Sequence, residues 1–158
     1  MVMDTSELEH ISAIRRDVVV RWLIPNRVIF VSGEGKINAA VRDWMNARII
    51  YLMHSCSTPH IHLISDVRRI THVSPSSVTK PSPVLRHPRR GWFLSVGASK
   101  HWLMRPIMRF TVWMMTLNYQ DCPTIPDALA QLRQLDPSLP EWDLLTLDLP
   151  LQTEGNPV

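Results

Sequence analysis

The stretch VVVRWLIPNRVIFVS, residues 18–32, consists of two β-branched runs held apart by a Pro-Asn pair. β-Branched and aromatic side chains suit a pleated backbone, and proline followed by asparagine suits a tight turn. Residues 18–23 and 27–32 are therefore predicted to form a β-hairpin around Pro25 and Asn26.

Downstream of the hairpin, Gly33 and Gly35 are expected to end the second strand. Residues 37–54 follow as a helix, because Ile37, Val41, Trp44, Met45 and Leu52 recur near helical spacing. IHLIS, residues 61–65, reads as a short buried strand that stops at Asp66. The four prolines in residues 74–88 leave room for one short helix, at 76–80. WFLSV, residues 92–96, lies between Gly91 and Gly97 and is the next strand. A helix over 101–117 places Pro106 in its first turn or at a kink. A last short strand at 118–122 precedes a helix over 125–135, capped by Thr124 with Pro126 and Asp127 in its first turn. Upstream, residues 5–16 form a short helix capped by Thr5 or Ser6.

Strands that alternate with helices require crossover connections, so the expected fold is α/β. It is a mixed, largely parallel sheet of about five strands with an N-terminal β-hairpin and helices packed on it. The chain divides into a helical extension (1–17), an α/β domain (18–135) and a Pro-rich acidic tail (136–158).

Composition narrows the function classes. At 158 residues and 45% apolar, the chain can bury a real core and is not disordered throughout. Cys56 and Cys122 have no CxxC spacing, which argues against a disulfide scaffold or a cysteine zinc site. The first ten residues are acidic and lack the basic and apolar regions of a secretory signal, so a cytoplasmic location is expected. The most apolar stretch, 102–117, is short for a membrane span and contains Arg105 and Arg109. Between Asp66 and Arg109 stand nine Lys or Arg residues and one acid, whereas residues 110–158 hold one base and seven acids. The basic middle suits an anionic partner, or neutralisation by the acidic end within the fold.

Three further segments, LISDVRRIT (63–71), HPRRGWFLSVG (87–97) and DALAQLRQLDPSLPEW (127–142), together with the element order, carry a resemblance. The chain resembles the STAS-like domains, the bacterial anti-sigma-factor antagonists and their SpoIIAA-like relatives, over roughly residues 18–135. The resemblance implies a non-enzymatic regulatory module that works through protein contacts. In that group a serine after an aspartate, at the start of the helix following a central strand, is phosphorylated by a partner kinase. The corresponding region here is VSPSS, residues 73–77, so the resemblance points to Ser74 or Ser76, although the Asp-Ser-x-Gly pattern is absent.

The residues offer one tentative ligand site. Parallel strands gather their C-terminal ends on one edge, where α/β ligand sites form. Gly33, Gly35, Asp66, Arg68, Gly97, Ser99 and Lys100 should meet there, and their amides and cations suit a small anion. The plainer alternative is that the glycines serve turns and Asp66 pairs with Arg68. Gly33-x-Gly35 lacks the third glycine and the downstream acid of a dinucleotide loop. His54, Cys56, His60 and His62 cluster in sequence, but their spacing matches no closed metal site, so neither a metal nor another cofactor is expected. No GxSxG motif or carboxylate pair marks an enzyme. The apolar helix over 101–117, with Trp102, Arg105, Arg109 and Trp113, suits the core, a homodimer contact or a lipid surface.

The leading expectation is thus a STAS-like binding or regulatory module, homodimeric, acting through protein contacts or a small anionic ligand. The alternatives are a carrier of an apolar ligand resembling SEC14-type domains, and an enzyme using the strand-end edge around Asp66. Nucleic-acid binding ranks lower, because the basic stretch carries no recognition motif.

Overall fold

The computed structural model describes residues 18–74, 82–98 and 117–142. Within them lie strands β1 (Val18–Ile24), β2 (Val28–Ile37), β3 (Ile61–Val73), β4 (Arg90–Val96) and β5 (Tyr119–Cys122). Helix α1 (Ala39–His54) follows β2, a 3-10 turn (Pro83–Arg86) precedes β4, and helix α2 (Ile125–Leu135) follows β5. The expected helices at 5–16 and 76–80, and that at 101–117 except for its last residue, lie outside the described residues.

The five strands form one sheet in sequence order, β1-β2-β3-β4-β5. β1 pairs antiparallel with β2, and the other three pairings are parallel. The hairpin turn forms where the sequence places it. Asn26 takes φ 61°, which asparagine tolerates better than most residues, and the Arg27 amide closes the turn on the Ile24 carbonyl.

Both faces of the sheet are covered, and strand alternation assigns each residue to its side. Ile29, Val31, Ile61 and Leu63 pack under α1 through Val41, Ile49, Leu52 and Met53. Val28, Phe30, Ile64, Leu94 and Val96 face the other way, against Ile125, Ala128, Leu129 and Leu132 of α2. Val84 of the 3-10 turn joins the α1 side. Among the described residues, α1 and the 3-10 turn thus cover one face and α2 covers the other.

Both helices begin where side chains can cap them. The Asn38 carboxamide accepts from the Val41 amide, so α1 starts at Ala39 rather than at Ile37. Ile37 instead pairs with Val73 in the sheet. Thr124 accepts from the Asp127 amide, and Pro126 occupies the first turn of α2, as its sequence predicts.

Two strand ends differ from expectation. β2 does not stop at Gly33, and β3 does not stop at Asp66. The two continue side by side, pairing Glu34 with Arg69, Gly35 with Ile70, Lys36 with His72 and Ile37 with Val73. The glycines serve this extension rather than a loop. Register shifts fall between Ser32 and Glu34 and between Gly35 and Lys36. Gly35 sits there at φ 75°, a conformation that costs a side-chain-bearing residue energy. The chain beyond α2 also packs on the domain. Leu139 is buried and Trp142 lies against the α2-side core, so residues 136–142 adhere to the sheet.

Candidate functional site

Two edges of the sheet carry polar side chains. The edge beyond Asp66 is where the sequence places a ligand site. There Arg68 donates through Nε to Asp66 Oδ1 (2.9 Å) and through Nη2 to Asp66 Oδ2 (2.8 Å). The Arg68 amide adds a third bond to Oδ1, at 3.1 Å. The hydrogen bond to Asp66 raises the Arg68 pKa, against the opposing effect of burial. Gly97, at φ 81°, lies over this pair, and a Cβ built on it would stand 2.3 Å from Arg68 Cγ. The structure therefore brings Asp66, Arg68 and Gly97 together, as a closed bidentate ion pair. Gly33 and Gly35 lie inside β2. Ser99, Lys100, Ser76, Trp102, Arg105, Arg109 and Trp113 are outside the described residues. Ser74 directly follows β3, and its amide donates to the Ile37 carbonyl.

This layout has a topological reason. Ligand crevices at strand C-termini open where neighbouring crossovers diverge, at a reversal of strand order. Here β2, β3, β4 and β5 are added in one direction, so the described sheet has no reversal.

The opposite edge, at the N-terminal ends of the parallel strands, holds a cleft of about 430 Å³. Its geometry starts from the backbone. The His62 amide donates to the Arg27 carbonyl and the Ile61 amide to the Arg89 carbonyl, so the starts of β2, β3 and β4 lie side by side. Asp136, the residue that ends α2, comes down onto this row.

Asp136 accepts from four donors. Oδ2 takes Arg27 Nη2 at 2.9 Å and His62 Nε2 at 2.8 Å. Oδ1 takes the Ser138 amide at 3.0 Å and the Ser138 hydroxyl, an Asx turn set by the Asp-Pro-Ser order. Burial opposes ionisation of this carboxyl, but the bonds from Ser138, His62 and Arg27 outweigh it and hold its pKa well below the usual carboxylate range.

His62 is almost wholly buried. The Trp92 amide donates to its Nδ1 at 3.0 Å, so Nδ1 is an acceptor and Nε2 carries the proton given to Asp136. A second proton would have to sit on Nδ1, facing the Trp92 N–H. Geometry and desolvation thus agree: burial pushes the His62 pKa down, despite the raising effect of Asp136. A side chain at position 91 would press on this ring, because a Cβ on Gly91 would lie 2.6 Å from His62 Nδ1.

Two further groups are held in their neutral forms. Burial, with Asp121 and Asp127, pushes the Cys122 thiol up and away from a nucleophilic thiolate. Burial and Asp121 raise the Tyr119 hydroxyl against a lowering bond to Ser95. The histidine cluster of the sequence is dispersed: His54 stacks edge-on with His87 at 5.0 Å, His60 is exposed, and His62 belongs to Asp136. Among the described residues no group of three or more His, Cys, Asp or Glu is arranged to hold a metal ion. Among them, too, no helix is long and apolar enough to cross a membrane.

Sequence reasoning missed the N-terminal edge. Its signals were a lone histidine inside the apolar run IHLIS and the helix-ending Leu-Asp-Pro-Ser of residues 135–138.

No family model matches the sequence, and no curated protein matches it. Solved structures do match the fold. An uncharacterised protein of the DUF3478 family with a SpoIIAA-like fold, from Shewanella loihica PV-4, is similar at 15% identity and a TM-score of 0.53, covering 73% of this chain and 91% of its own. The unphosphorylated anti-sigma factor antagonist SpoIIAA is similar at 14% identity and a TM-score of 0.51, covering 73% of this chain and 97% of its own. The Bacillus cell fate determinant SpoIIAA in phosphorylated form gives 15% and 0.54, covering 73% of this chain and 99% of its own. The described residues thus form an α/β domain of the SpoIIAA-like, STAS-like fold.

Proposed function

We propose that this domain is a non-enzymatic binding or regulatory module of the cytoplasm that acts through contacts with a partner protein. One observation carries this reading: the acids and bases buried in the sheet are committed to internal bonds. Asp66 is taken by Arg68, and both ring nitrogens of His62 are occupied. A general base needs an accessible lone pair and a proton affinity to match; His62 has both ring nitrogens in use, and Asp66 is buried in a bidentate pair with Arg68 that favours its charged form. SpoIIAA, described as an anti-sigma factor antagonist, supports the same reading through its shared fold.

Ser74 is the described candidate for control by phosphorylation, because it stands at the exit of the central strand β3, and SpoIIAA is known in a phosphorylated form. Ser76 is its neighbouring candidate. A homodimer built through Trp102, Arg105, Arg109 and Trp113 is part of the proposal. Light scattering should then give twice the 18.2 kDa chain mass, and a strict monomer would remove the dimer.

The test of the central reading is isolation of the full chain under native conditions, identification of co-eluting proteins, and reconstitution from purified components. A stoichiometric complex that weakens in Ser74→Glu supports it. Substrate turnover that disappears in Asp66→Asn or His62→Gln contradicts it.

A further inference from the structure

We infer that residues 145–151 of this chain, LTLDLPL, pair with the outer edge of β1 as a further strand, antiparallel to it. The edge itself is the first support. β1 lies at one end of the sheet, so its outer side meets no other strand among the described residues. Such edges are ordinarily blunted by lysine, proline or extreme shortness. β1 has seven residues, VVVRWLI, with neither lysine nor proline, and its Val19 is 37% exposed. The opposite edge strand, β5, is only four residues long.

The place where the described chain ends is the second. Asp136 closes α2 at the N-terminal edge of the sheet, and Ser138 is held there by Arg27, beside the hairpin turn. Arg133, one turn earlier in α2, donates to Glu141 at 3.0 Å and lies over the Trp142 ring. By Trp142 the chain has therefore doubled back along α2. Leu139 and Trp142 share a core cluster with Leu23 and Ile24, the last two residues of β1. β1 runs toward this same edge, so a segment that leaves Trp142 and follows β1 runs antiparallel to it. Asp143 and Leu144, when extended, span about 7 Å, enough to cross the roughly 4.8 Å between neighbouring strands.

The segment's own sequence is the third. Leu145, Leu147, Leu149 and Leu151 alternate with Thr146, Asp148 and Pro150, the period of a strand with one apolar face. Its seven residues match the seven of β1. Pro150 lacks an N–H, which confines it to an outermost strand with that position turned to solvent. Residues 143–158 hold three acids and no Lys or Arg, whereas β1 holds Arg21 and no acid, so charge favours the pairing. The edge is then closed to strand addition by another chain.

The test is NMR of the full chain in an equal mixture of isotope-labelled and unlabelled protein, which separates contacts within a chain from those between chains. The expected result is Hα–Hα contacts within one chain between residues 145–151 and β1, in antiparallel register, with slowed amide exchange across 145–151. Leu147→Asp, which puts a charge on the apolar face, should speed exchange of these amides by about tenfold or more, whereas Thr146→Asp should leave it within about twofold. Random-coil exchange across 145–151, contacts from the β1 edge to residues 1–17 instead, contacts between chains at that edge, or equal effects of the two substitutions would each overturn the inference.

Discussion

Replacing Asp136 by Asn tests the polar join between α2 and the sheet while keeping the side chain's shape. The carboxylate receives Arg27 and His62 on one oxygen and two Ser138 donors on the other. A carboxamide has only one oxygen, so its NH2 must face a donor on one side. If it faces His62, the ring can switch tautomer and accept, but its new Nδ1–H then opposes the Trp92 amide, which now donates to Nδ1 at 3.0 Å. The His62 side chain is 3% exposed, so no water relieves either ring tautomer, whereas an NH2 turned to the exposed Ser138 side meets one N–H and a hydroxyl that can rotate to accept, at lower cost. A buried donor left without a partner costs about 1–3 kcal/mol. Arg27, at 24% side-chain exposure, can recover solvation and adds little. The expected loss is therefore about 1–3 kcal/mol at pH 7, a fall of about 0.5–2 M in the urea midpoint at an m-value of about 1.5 kcal/mol/M.

The pH dependence sharpens this test. The folded-state pKa of Asp136 lies below its unfolded value, so its contribution is complete above about pH 4 and is lost as pH falls further. The gap between parent and Asp136→Asn should narrow in acid. Urea unfolding followed by tryptophan fluorescence over a pH series reads both quantities. A gap under about 0.5 kcal/mol at pH 7, or one that stays constant into acid, would refute the reasoning.

Other perturbations follow from the same contacts. Gly91→Ala should destabilise by about 1–3 kcal/mol in thermal or urea unfolding, because His62 is locked at both nitrogens and cannot retreat from the new Cβ. Gly97→Ala should cost about 2 kcal/mol or more, combining a left-handed backbone with displacement of Arg68 from Asp66, and urea unfolding will show it. Leu132→Ala, at a fully buried site between α2 and the sheet, should cost about 2–5 kcal/mol, read from the urea midpoint.

Much of the fold is legible in the chain because its local signals are strong. Pro25 and Asn26 define the hairpin turn, and Thr124, Pro126 and Asp127 define the start of α2. The unbroken apolar run VIFV suits a strand buried on both faces, and β2 is one, with Val28 and Phe30 in one core and Ile29 and Val31 in the other. What the chain does not show is pairing. Gly33 looks like a terminator until β3 is known to run beside it to Val73. The short IHLIS strand gives no hint that the polar residues beyond Asp66 are still in the sheet. The N-terminal edge was hidden for a related reason. His62 and Asp136 are 74 positions apart, and only the strand order brings them within 2.8 Å.

The account rests most heavily on the commitment of the sheet's buried acid and histidine, Asp66 and His62, to internal bonds, and His62 exposes that claim to direct measurement. Nitrogen-15 NMR of the imidazole across pH 4–8 reports both tautomer and charge. The expected result is a neutral ring protonated on Nε2, with Nδ1 an acceptor, and a titration displaced below the ordinary value of 6.5. The unfolded chain then gains a proton near pH 6.5 that the folded one refuses, so His62 subtracts stability as pH falls below that point. A ring that titrates at or above 6.5, or that carries its neutral proton on Nδ1, would contradict the account.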